Sequence, residues 1–163
     1  MILKNDSSYP TAELEQLIKF AASMNTTQPI NLDRIYVHVK NTSGKFSGQA
    51  WDAQPPEEWC GVELHPDLAA DYYVFLRIPR AHKFPQSSLI RGKPYGGRLS
   101  SVYVCQDWKE CVAALAAHEL HHVAIWQQHT GRFVVPSDEA RCERQAAHAL
   151  HRFRQTNLET VAA

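Results

Sequence analysis

The 163-residue chain has no excess of either charge, since its 17 Lys and Arg are matched by 17 Asp and Glu. A balanced chain carries no global field that would coat a nucleic acid or draw an acidic partner. Its four cysteines (Cys60, Cys105, Cys111, Cys142) include no C-x-x-C pair. No apolar run approaches membrane-spanning length, and Met1 to Tyr9 is too polar for the core of an export signal. These absences lead to the expectation of a soluble, cytoplasmic protein with free thiols and no membrane partner. A buried thiol is a better expectation for Cys60 than a metal ligand. Repeats, low-complexity tracts and Pro/Gly/Ser-rich linkers are missing too, so a single domain over residues 1–163 is expected, long enough to bury a core without disulfide staples.

Charge is present but segregated. From Trp51 to Leu76 there are six acids and no Lys or Arg, and from Arg77 to Arg98 six bases and no acid. Two solvated loops that attract each other account for this, with a basic lip beside a cleft as the sharper alternative.

The periodicities give an element order. Leu14, Leu17, Ile18, Ala21 and Ala22 recur at helical spacing after Pro10, which predicts a first helix over Thr11 to Met24. Arg34 to Val39 alternates, Asn41 to Gly44 has turn chemistry, and Lys45 to Trp51 is a second extended piece, so a hairpin is expected. Asp52 to Asp71 reads as loop. Tyr72 to Ile78 is dense in β formers and reads as a central strand. The basic segment after it, rich in Pro and Gly, reads as a long excursion, and Leu99 to Cys105 as another short strand. Asp107 with Glu110 three residues on is a capping-box-like start for a helix from Trp108 to about His129. Ser137 or Asp138 can cap a last helix running to about Gln155. The expected fold class is α+β: an N-terminal helix, a small, mostly antiparallel twisted sheet, then two helices.

Within the long helix stands H-E-L-H-H, His118 to His122, which contains the pattern H-E-x-x-H. Residues four apart lie one above the other on a helix, so His118 and His122 can offer two imidazoles to one Zn²⁺, with Glu119 beside them as a catalytic carboxylate. His121, three residues from His118, can imitate His122, but only His122 leaves Glu119 in the usual relation to both ligands. A catalytic zinc needs a third protein ligand and an open position. His129 lies about 10 Å further along the axis than His122 and would require a helix break. The extended H-E-x-x-H-x-x-G-x-x-H pattern fails, with Ile125 at the Gly position and Gln128 at the His position. On the last helix Glu139, Glu143, Ala146, Leu150 and Phe153 form one stripe, while His148 lies about 180° and His151 about 120° from Glu139. Two carboxylates opening an apolar stripe need compensation. Glu139 as third zinc ligand, with Glu143 accepting from the far nitrogen of a ligating His, satisfies both.

H-E-L-H-H followed by E-A-R-C-E-R-Q-A-A-H-A-L resembles the gluzincin metallopeptidases, whose second motif is a Glu followed four residues later by an Asp. The resemblance covers roughly residues 99–153. It implies a zincin-like fold, close to the minigluzincin or SprT-like minimal versions, with Glu139 as third ligand. Glu143 occupies the Asp position, which keeps the charge and lengthens the arm. It also implies that the strand before the active helix, here near Ser101, Val102, Tyr103 and Val104, edges the cleft and pairs with an extended peptide. No oxyanion-stabilising residue emerges from among Tyr103, His82 and Tyr95.

The leading expectation is therefore a zinc endopeptidase acting on a peptide or protein, with His118, His122 and Glu139 on the metal and Glu119 as general base and then acid. The alternatives are a non-catalytic module that keeps zinc as a structural clip, closed by Cys142 or another His, and a DNA-associated SprT-like protease using Arg77 to Arg98. No helix-turn-helix, zinc knuckle or aromatic stacking motif supports the last.

Overall fold

The computed structural model describes residues 1–26, 28–57, 64, 70–90, 100–128 and 136–162. In chain order these form β1 (Ile2–Asp6), α1 (Thr11–Ser23), β2 (Ile35–Thr42), β3 (Ser47–Trp51), β4 (Tyr72–Pro79), a 3-10 turn at Ala81–Lys83, β5 (Gln86–Ile90), β6 (Ser100–Cys105), α2 (Trp108–Gln128) and α3 (Pro136–Ala162). The class is α+β.

The sheet is mixed, which corrects the expectation of a mostly antiparallel one. Its order is β1-β2-β4-β3; β1 and β4 both run parallel to β2, and β3 runs antiparallel to β4. The expected hairpin of β2 with β3 does not form, because β4 lies between them. Ile35 to Val39 and Tyr73 to Leu76 are buried without interruption. Strands covered on both faces belong in the interior of a sheet, where parallel neighbours and a crossover helix are the natural solution. β3 reads S-G-Q-A-W, half-exposed and short of apolar bulk, and takes the edge. The turn chemistry at Asn41 to Gly44 permits a hairpin without enforcing one.

β1 is an addition to the expected order. Its register on β2 runs from Ile2 opposite Tyr36 to Asp6 opposite Lys40. The Asn5 side-chain amide donates to the Tyr9 carbonyl at 2.8 Å and to Thr11 Oγ1 at 2.9 Å, fixing the turn into α1. The basic excursion likewise contains β5, paired antiparallel with β6 in a separate two-stranded sheet.

Alternation along the strands separates two layers. Ile35, Val37 and Val39 of β2 and Val74, Leu76 and Ile78 of β4 face the helices and join Leu14, Ile18 and Ala21 of α1 in the main core. Tyr36, Tyr73 and Phe75 point to the other face, where they form an aromatic cluster with Trp51, Leu64 and Ala70 around it. His38 lies on this face, buried, with Nε2 2.8 Å from Asp6 Oδ2.

α2 is buried on every side from Glu110 to Trp126, and its many alanines let neighbours approach closely. Asp107 caps it, accepting from the Glu110 amide at 2.9 Å. The reciprocal arm is displaced by one residue from a capping box: Glu110 Oε2 accepts from the Gln106 amide at 2.7 Å. Arg154 of α3 then clasps Glu110 with Nε at 2.8 Å and Nη2 at 2.7 Å, and Nη2 also donates to the Val104 carbonyl at 2.7 Å. α3 begins at Pro136, so Ser137 and Asp138 lie inside its first turn instead of capping it, a place that suits proline. It also continues past Gln155, since no Gly or Pro follows to stop it.

Two predictions follow from these contacts. Replacing Arg154 by Ala leaves a largely buried carboxylate without its bidentate partner and is expected to lower stability by about 1.5–3 kcal/mol. Lys at 154 restores only part of this, since it lacks the planar fork; denaturant midpoints compare the three proteins. Burial lowers the His38 pKa below 6.5, and the hydrogen bond that its ring donates to Asp6 offsets this only in part. The unfolded chain therefore takes up this proton first, so stability is lost as pH falls through about 6.5. His38→Gln should flatten the stability profile between neutral and mildly acid pH, and an unchanged slope would count against the assignment.

Candidate metal centre

The buried middle of α2 presents different side chains to different neighbours. His118 and His122, one turn apart, have ring centroids 5.2 Å apart and inclined by 65°. The His122 ring stacks on Trp126 at 6.0 Å, and Trp126 stacks in turn on Tyr72 at 6.5 Å. These aromatic contacts limit how His122 can turn.

α3 delivers the opposing groups. Glu139 sets one carboxylate oxygen 3.5 Å from His118 Nε2 and the other 3.3 Å from His122 Nε2. Glu143, one turn later, holds Oε1 3.7 Å from His118 Nδ1, while Ser88 of β5 donates to its other oxygen at 3.3 Å. Cys142 lies between them in sequence, fully buried, with Sγ 3.5 Å from His122 Nδ1. Glu139, Cys142 and Glu143 stand at i, i+3 and i+4, so they share one helix face.

Burial and charge pull the groups of this cluster in different directions. Hydrogen bonds from His118 and His122 hold the Glu139 carboxyl well below the usual carboxylate range. Burial raises Glu119 and Glu143, although the histidines pull both back. Burial opposes charge on His118, but Glu139, Glu119 and Glu143 outweigh it, so its pKa is raised. Burial, and after it the surrounding carboxylates, pushes the Cys142 thiol up. Three carboxylates around two imidazoles, two of them largely shielded from water and the half-exposed Glu139 at the rim, form a site that favours a cation.

The residues fit a metal ion. His118, His122 and Cys142 make a buried group whose ligating atoms all lie within 4.8 Å of one another and which can hold one. Glu139 approaches the same histidines with one oxygen for each ring, Oε2 at 3.5 Å from His118 Nε2 and Oε1 at 3.3 Å from His122 Nε2. Among the described residues the group that can hold an ion is completed by Cys142, while Glu139 meets both rings at their Nε2 atoms. His122 turns opposite nitrogens to these two residues.

The other histidines fall elsewhere. His121 points away from the centre, its Nδ1 2.9 Å from Asn25 Oδ1. Burial, followed by repulsion from His122 and His118, lowers its pKa to about 4, which leaves it neutral. Asn25 and Gln28 continue this contact: the Asn25 amide donates to the Gln28 carbonyl at 2.9 Å, and the Gln28 amide to the Ala124 carbonyl at 3.0 Å. His148 and His151 lie exposed on α3. His129, Cys60, Tyr95 and the segment 91–99 are outside the described residues.

A cleft of about 230 Å³ opens over the cluster, lined by Gly48, Gln49, Ala50 and Trp51 of β3 with His118, Glu119, His122, Trp126 and Glu139. A larger hollow of about 570 Å³, lined by Lys19, Asn25, Gln28 and neighbours, contains none of the candidate ligands. The strand beside the centre is therefore β3, whereas Ser101 to Val104 belong to β6 and pair with β5. Tyr103 is buried and Val104 exposed. Arg80, His82 and Lys83 line a separate hollow with Asn41, Thr42 and Ser43.

Gly48 sets the approach of β3 to the catalytic carboxylate candidate. A methyl group at residue 48 would sit 2.6 Å from both Glu119 Cγ and Cδ, and closer still to Oε1. The buried Glu119 side chain occupies the room that the missing Cβ leaves.

Comparison with protein-family models, with curated proteins and with solved structures finds no match in any of the three. Among the described residues no helix is long and apolar enough to cross a membrane.

Gly48→Ala should cost about 1–3 kcal/mol through overpacking. Because the clash is with one side chain, Glu119→Ala in the same protein should recover most of that loss. Strictly additive costs in the double-mutant cycle would show that Gly48 does not meet Glu119.

Proposed function

We propose that the protein is a zinc-dependent metallopeptidase with a zincin-like, gluzincin-type centre, in which His118, His122 and Glu139 hold the metal. The observation that carries this reading is the convergence of both Nε2 atoms on one carboxylate delivered by a different helix, with Glu119 held between that cluster and an edge strand. Zinc bound by such donors supplies Lewis acidity, making water nucleophilic near neutral pH and polarising a carbonyl. Glu119, buried at the cleft floor one residue from His118, takes up the proton of the attacking water on its carboxylate and returns it to the departing amine. The half-exposed Glu139 borders the cleft, so its partners are reachable by substrate.

β3 supplies the means to align a chain. Among the described residues it pairs with β4 alone, on one side, and its residues 48–51 line the cleft. An extended peptide laid along the open edge gains main-chain hydrogen bonds and brings a backbone carbonyl over the metal cluster. The substrate class is accordingly an unfolded or loop segment of a peptide or protein.

Cys142 favours a second reading. With His118 and His122 it makes a buried three-donor group, which a fourth protein ligand such as Glu139 would close into a structural zinc clip. A clip, however, gives no use to a carboxylate wedged at residue 119 beside an open strand edge.

The test is metal analysis with peptide hydrolysis on three proteins. Wild type should bind one zinc and cleave; Glu119→Gln should keep zinc and lose about 10²–10⁴-fold in turnover; Glu139→Ala should lose zinc. Turnover that survives in Glu119→Gln would sink the mechanism.

A further inference from the structure

A metal held by His122 through Nε2 needs the lone pair of that nitrogen, which places the ring proton on Nδ1. A buried N–H of this kind needs an acceptor, and in metal centres the acceptor orients the ring. For His118 the group facing Nδ1 is the Glu143 carboxylate, itself steadied by Ser88. For His122 it is the sulfur of Cys142 at 3.5 Å.

We propose that Cys142 is the positioning residue of His122: its sulfur accepts the Nδ1–H and keeps Nε2 turned toward Glu139. This rests on the metal reading above and adds a role that the gluzincin resemblance does not supply. Three observations on the same ring agree. Glu139 meets Nε2 at 3.3 Å and Cys142 meets Nδ1 at 3.5 Å, so opposite edges of the imidazole are held by residues three apart on α3. Trp126 covers one face of the ring. Cys142 is fully buried, so water does not compete for Nδ1. Sulfur is a weak, polarisable acceptor that tolerates a long contact. The same three side chains can also hold an ion with the sulfur as a ligand, and the experiment separates the two arrangements.

The experiment compares wild type, Cys142→Ser and Cys142→Ala by zinc competition with a chromophoric chelator, by the absorption spectrum after Co²⁺ loading, and by ¹⁵N spectra of the His122 ring. Loss of the acceptor in Cys142→Ala should weaken zinc binding by about 10–100-fold, and the Ser hydroxyl should recover most of that. The wild-type Co²⁺ spectrum should contain no thiolate-to-metal band, and the ¹⁵N spectra of zinc-loaded wild type should show the proton on Nδ1. A thiolate band that disappears in Cys142→Ser would make Cys142 a ligand and overturn the proposal. Equal zinc affinity in all three proteins would overturn it as well while leaving the metal reading intact. No metal uptake by wild type would remove both.

Discussion

A helix buried on every side cannot carry ionisable groups unless another element meets each of them, and α2 carries four in succession but one, His118, Glu119, His121 and His122. The neighbours of α2 can be read as answers to that demand. α3 brings Glu139, Cys142 and Glu143 to His118 and His122; the loop after α1 brings Asn25 to His121; β3 leaves out a side chain at Gly48 so that Glu119 fits. The position of α3 against α2 is further fixed at its far end by Arg154 on Glu110. Packing and chemistry thus impose the same geometry.

The sheet contributes by its topology. Interior places go to the strands that are apolar on both faces, β2 and β4, which leaves the edge beside α2 to β3. An edge strand with small residues and one open side is normally a liability, managed by charge, proline or cover. Here that edge lies beside His118, Glu119, His122 and Glu139, where the proposed peptidase would use an exposed row of main-chain donors and acceptors.

What the amino-acid order reveals is the part governed by short-range periodicity. H-E-x-x-H on a helix, the Glu139 to Phe153 stripe, the Asp107 cap and the exposure of His148 all follow from positions three and four apart, and the structure places them so. Strand order is less legible, because pairing of β4 with both β2 and β3 depends on contacts between 22 and 37 residues apart that no local pattern encodes. β3 escaped notice as the cleft strand for a related reason: glycine and alanine carry weak strand preference, and their value here lies in the space they leave. Cys142 enters the sequence reading only as a group that could close a zinc clip, and its contact with His122 Nδ1 depends on the orientation of a ring on another helix.

That orientation bears on how the centre differs from a symmetric pair of histidines. His118 is backed by a carboxylate and His122 by a neutral sulfur, so the two imidazoles are not equally basic toward a metal: a carboxylate partner strengthens its ring as a donor, while a thiol mainly fixes direction. A second carboxylate behind His122 would add a further negative charge to a cluster that already holds Glu119, Glu139 and Glu143 in largely dry surroundings. Like charges at such distances oppose one another, and each addition raises the affinity of the group for protons in competition with metal. With a sulfur at Cys142 the ring is held without that repulsion. Under the proposed arrangement an uncharged group faces one imidazole while a charged one faces the other, the kind of local consistency that a crowded buried site requires.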